Sequence, residues 1–128
     1  MSLIVATFAL AAAAPAAQPR VDNEIVVMGS KLRDWRGNMK LRKGAVSCKT
    51  KRSTGDKAID AIGCDAMVQC FTPIVPRFAA LEKSKLPKDE MNRQADALLN
   101  DAGIGDCLAA RREAGIAALV AARRSKRT

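Results

Sequence analysis

The 128-residue chain carries 22 Lys and Arg against 13 Asp and Glu, a formal net charge of +9, with four Cys, no His and no Tyr. That length fits one domain. The missing His removes His-based triads, His acid–base catalysis and nearly all His-rich metal sites.

Met1 to Gln18 contain no charged side chain, and Leu3 to Ala14 form an apolar stretch of 12 residues. A small-x-small site follows at Ala14-Pro15-Ala16. The stretch falls short of the roughly 20 apolar residues that span a bilayer as a helix. Residues 1–16 therefore read as a signal peptide cut after Ala16, with Ala17 the alternative. No transmembrane span is expected. Residues 17–23 read as a flexible arm, 24–123 as a single disulfide-stapled domain and 124–128 as a basic tail. The expected location is periplasmic or secreted.

Within the domain, Glu24 to Met28 is rich in β-branched residues and ends at Gly29, which signals a short strand. Lys40 to Lys51 alternates loosely, with Gly44 suggesting a turn or bulge. A strand or small hairpin is expected there, with Leu41, Ala45 or Val46, and Cys48 facing inward. Ser53-Thr54-Gly55-Asp56 offers capping groups. They open a central helix from about Asp56 to Phe71, apolar on two sides, which Pro73 and Pro76 end. A short piece runs on through about Lys83. Pro87 suits the first position of a further helix reaching about Asn100, with Asp89 and Glu90 in its first turn. Gly103 fits its C-terminal cap. Asp106 is read as the cap of a last helix from about Cys107 to Arg123, in which Gly115 costs about 1 kcal/mol relative to Ala.

An even cysteine count in a small exported chain points to disulfides. Cys64 and Cys70 lie six residues apart on one expected helix, about 9 Å along its axis. A disulfide needs Cα atoms within about 7 Å, so this pairing is disfavoured. Cys48–Cys64 with Cys70–Cys107 closes shorter loops than the crossed alternative and is preferred. No Cys-x-x-Cys redox pair is present, and Cys64 and Cys70 are too widely spaced for a zinc site. No cofactor and no metal site is expected.

The carboxylates form no recognisable acid–nucleophile pair, and Ser47, Ser53 and Ser84 lack a nucleophile-elbow context. An enzyme is disfavoured. The strongest functional signal is charge. Lys31 to Lys57 holds ten basic residues opposed only by Asp34 and Asp56, a net +8. Such clustering suits an anionic partner: anionic lipid, lipopolysaccharide or an acidic protein. Arg42, Lys43, Lys49, Lys51 and Arg52 are the first candidates for an anion-binding surface, with Arg33, Trp35 and Arg36 second. Nucleic acid is disfavoured, because Trp35 alone offers a stacking platform in the run and an exported chain meets little of it.

Glu24-Ile25-Val26-Val27-Met28-Gly29 resembles the TonB box of outer-membrane receptors, with Met28 where Thr is usual. The resemblance covers six residues and no barrel follows. It implies a segment able to add as a strand to a TonB-type envelope protein, the alternative function. The leader, this segment and the run Leu32-Arg33-Asp34-Trp35-Arg36-Gly37 together resemble small secreted proteins of alphaproteobacteria, a resemblance that brings no activity with it.

The expected fold is α+β and helix-dominated: a short basic β-ribbon packed on three or four helices, with two disulfides. The expected core is Ile59, Ile62, Ala66, Met67, Phe71, Leu98, Leu99, Ile116 and Leu119.

Overall fold

A computed structural model describes residues 19–127; the expected signal peptide lies outside these residues. The fold is helix-dominated α+β. In chain order it comprises α1 (Pro19–Asp34), β1 (Arg36–Arg42), β2 (Ala45–Arg52), α2 (Lys57–Phe71), a 3₁₀ turn (Thr72–Ile74), α3 (Val75–Lys83), α4 (Lys88–Asp101) and α5 (Ile104–Arg127).

The first element corrects the sequence reading. Glu24–Met28 is not a strand, and residues 19–23 are not an irregular arm: both belong to α1. The three β-branched residues Ile25, Val26 and Val27 lose to a longer pattern. Met28, Leu32 and Trp35 recur at helical spacing and are all buried, at 4 %, 3 % and 3 % exposure. In the helix Val26 and Val27 turn to solvent, at 66 % and 51 % exposure. Their helix-propensity cost is a few tenths of a kcal/mol each, small beside the burial of three large side chains at about 1.5–3 kcal/mol apiece. Adding this segment to another sheet as a strand would require unwinding α1 and drawing Met28 out of the core.

β1 and β2 form an antiparallel hairpin in which Met39 opposes Cys48 and Leu41 opposes Val46. Its two-residue turn places Lys43 and Gly44 at φ 51° and 77°. Positive φ at both central positions matches the right-handed twist of the flanking strands. Gly reaches that region freely, whereas Lys43 is strained by its Cβ. The register settles the inward face as Leu41, Val46, Cys48 and Thr50; Ala45 is exposed.

α2 starts as expected. The Asp56 carboxylate accepts from the backbone N–H groups of Ala58 and Ile59 at 3.0 and 3.4 Å, satisfying donors that the first helical turn leaves open. The other carboxylate oxygen binds Arg123 of α5 at 2.6 Å. The Arg123 guanidinium holds the Asp56 carboxyl below its usual range. Asp60 fastens the preceding loop, accepting from the Thr54 N–H and hydroxyl at 2.8 and 2.7 Å and from the Ser53 hydroxyl. These bonds lower its pKa as well, that from Ser53 first.

Both disulfides are those preferred from the sequence. Cys48–Cys64 ties the ribbon to α2 across a Cα separation of 5.4 Å, and Cys70–Cys107 ties the end of α2 to α5 across 5.9 Å. By loop entropy they stabilise by about 3 and 4 kcal/mol. Lys57–Lys83 has the length and apolarity of a membrane-crossing helix. Within it Ile59, Ala66, Cys70, Ile74 and Val75 are buried in this fold.

The core divides into two clusters. One joins Met28, Leu32, Trp35, Ile59, Ile116 and Val120; the other joins Cys70, Ile74 and Ile104. Expected core members Ile62, Met67, Phe71, Leu99 and Leu119 are partly buried against them. α4 runs from Lys88, with Pro87 just ahead of it, and none of its residues is fully buried. Gly103 ends it at φ 63°, its N–H bonded to the Asn100 carbonyl. α5 exceeds its expected length at both ends. It begins at Ile104, so Asp106 lies inside the first turn, and it continues through Arg127, so residues 124–127 are helical rather than a separate tail.

The candidate binding surface

Strand alternation decides where the ribbon's cations go. Asn38, Lys40 and Arg42 of β1 and Ser47 and Lys49 of β2 share the outer face, Lys51 sits at the register shift between Thr50 and Arg52, and all are exposed. Lys43 stands at the exposed turn. Across the strands Lys40 opposes Ser47, Lys49 opposes Asn38 and Arg42 opposes Ala45. Each cation thus meets a neutral residue, which avoids the penalty of like charges directly opposite. At the base of the ribbon Arg36 opposes Arg52. There Arg36 folds back, donating to the carbonyls of Arg33 and Trp35 at 2.8 Å each. It caps the C-terminus of α1, where carbonyls lack partners and the dipole favours a cation.

The first-rank candidates Arg42, Lys43, Lys49, Lys51 and Arg52 therefore all lie on the ribbon and are exposed. Among the described residues no ion pair engages them or Lys40. The second-rank group divides. Arg33 is exposed in the last turn of α1. Arg36 is committed to the α1 carbonyls. Trp35 is no surface platform: it is 3 % exposed and sits at the centre of the larger cluster.

The surroundings of Trp35 explain this correction. Its indole N–H donates to the Thr50 hydroxyl at 3.1 Å, so its single polar atom is satisfied in the interior. A Cβ placed on Gly63 would lie 2.7 Å from the ring, and one on Gly37 2.4 Å from its edge. The ring occupies space that only glycines leave. Arg112 of α5 lies over it, 5.8 Å from the centroid, within cation–π range.

Lys40 was missed as a site residue, although the same alternation that marks Lys49 and Lys51 would have found it. Among the described residues no cluster of His, Cys, Asp and Glu could hold a metal ion. Asp56 and Asp60 are occupied in fastening the start of α2. What the ribbon can do chemically is attract and hold negative charge. Comparison with family models, curated proteins and solved structures finds no match to this chain.

The two disulfides do bear on location. Such bonds form and persist in oxidising surroundings and are rare in the cytosol, so this chain belongs to a non-cytoplasmic compartment.

Proposed function

We propose that this is a non-catalytic domain of the periplasm or extracellular space that docks on an anionic envelope partner through the outer face of its β-ribbon. The observation that carries the reading is the gathering of Lys40, Arg42, Lys43, Lys49 and Lys51 as exposed residues of the ribbon and its turn, with no acid paired to them among the described residues. A folded chain keeps such a field only at the cost of self-repulsion, and an anionic surface relieves it.

Co-sedimentation with vesicles tests it. The oxidised protein is expected to bind vesicles rich in phosphatidylglycerol at about 50 mM salt and to leave them by about 300 mM, as screening shortens the range of exposed charges. Vesicles of phosphatidylcholine alone should not retain it. Lys40→Glu with Lys49→Glu should abolish binding and leave the fold intact. Failure to bind anionic vesicles at low salt ends the vesicle form of the reading. Failure to bind lipopolysaccharide and polyglutamate as well ends the reading altogether.

A further inference from the structure

The ribbon has a second face. Near its base that face is covered, by Trp35 and by the bond from Cys48 to α2. Towards the turn it is not. There Met39, Leu41 and Val46 look across a groove of about 240 Å³ to Phe71, Val75 and Phe78, with Glu82 the single ionisable residue in the lining. Met39 is 37 % exposed, and Leu41, Val46, Phe71 and Phe78 are half-buried. A concave apolar slot with few polar groups is the ordinary form of a small-molecule site.

The same short stretch carries positive charge on residues next in sequence to the lining, none of which lines the slot itself. Lys40 separates Met39 from Leu41, and Arg42 and Lys43 follow directly at the turn. These side chains point to the outer face or the tip, and their flexible stems can carry the cationic heads over the ribbon edge. We propose that the groove takes the alkyl chain of a single-chain anionic lipid, whose headgroup is held by Arg42 and Lys43 with Lys40 beside them. This rests on the ribbon being an anion-binding surface and names its partner as a lipid. Charge and apolarity together select the occupant. A purely ionic partner would leave the slot facing water, and a neutral apolar segment would leave the cations unanswered. Glu82 opposes a negative headgroup, so Glu82→Gln should tighten binding.

The test uses the full oxidised chain, ¹³C-methyl-methionine labelling and calorimetric titration with butyl, hexyl, octyl and decyl phosphate at about 50 mM salt, below micelle formation. Affinity is expected to rise roughly threefold to fourfold per methylene until the groove is filled. The Met39 methyl resonance should move and that of buried Met28 should not. Leu41→Asn, and separately the exposed Met39→Gln, should flatten the dependence on chain length while butyl phosphate binds as before. Arg42→Glu with Lys43→Glu should remove the preference for octyl phosphate over octyltrimethylammonium. Equal affinity for butyl and octyl phosphate overturns the groove while leaving the ionic reading in place. Equal affinity for octyl phosphate and octyl glucoside overturns the headgroup assignment. If neither alkyl phosphates nor anionic vesicles bind, both readings fall.

Discussion

The cluster around Trp35 and the cluster beside Cys70–Cys107 each include one disulfide, yet they are filled by different means. The first draws side chains from α1, α2 and α5, and its large ring is seated against glycines that leave no spare volume. The second has three fully buried members, and Phe71, Phe78, Leu99 and Leu108 cover it only partly. Its neighbour α4 buries nothing completely. Shape complementarity holds one end of the molecule together. At the other end a cross-link bridging 37 residues compensates for a thinner interior. In a chain with so few aromatic residues, the single Trp goes where packing must be exact.

Removing the ring should give the largest loss. Trp35→Ala is expected to cost roughly 3–5 kcal/mol in urea unfolding and to loosen α1, the ribbon and α5 together. Replacing Cys70 and Cys107 with Ala should cost about 4 kcal/mol or somewhat less. Its signature is local: hydrogen exchange should accelerate in α3 and α4 while β2 stays protected. If both changes open the same amides equally, the two clusters are one cooperative unit and the contrast fails.

Gly63→Ala comes next, at about 1–3 kcal/mol, because its Cβ would strike the indole. Gly115 sharpens the same point. Its low helix propensity suggests that Ala should stabilise α5 by about 1 kcal/mol. The structure reverses the sign, since a Cβ there would lie 2.8 Å from Ile62 Cγ2, on a β-branched side chain that is stiff in a helix. Gly115→Ala should therefore destabilise the wild type but stabilise an Ile62→Ala background, a coupling that a double-mutant cycle measures.

The smallest effect is electrostatic. Asp56 and Asp60 both have lowered pKa values in the folded chain. The unfolded chain therefore binds more protons in acid, and the stability these groups supply is fully present above the ordinary carboxylate pKa of about 4. It should fade as pH falls below that value. Asp60→Asn should weaken this acid dependence in a pH series of urea midpoints.

Much of this architecture can be read from residue spacing. Helix geometry sets aside only the Cys64–Cys70 pairing, because the two diverge on α2, and shorter loops favour the observed pairing over the crossed one. The cap at Asp56 and the stop at Gly103 are local chemistry and need no distant partner. The ribbon's basic face follows from alternation. α1 does not yield to such reading, because its identity depends on distant elements: Ile59 of α2 and Ile116 and Val120 of α5 complete the cluster in which Met28 and Leu32 are buried. Trp35 is hidden by its neighbours, since Arg33 and Arg36 suggest exposure while Gly37 and Gly63 make room for burial. The groove under the ribbon is equally distant in sequence, joining Met39 and Leu41 to Phe71 and Phe78.

The cysteines pair in the order in which they occur, first with second and third with fourth. Their covalent rings lie one after the other along the chain and never interlock. Cys64 is the first thiol after Cys48, so a chain that enters an oxidising compartment amino-terminus first presents the native partner of Cys48 ahead of Cys70 and Cys107. An oxidant that joins each newly arrived pair in turn writes the native bonds directly, and no shuffling step is needed to correct them.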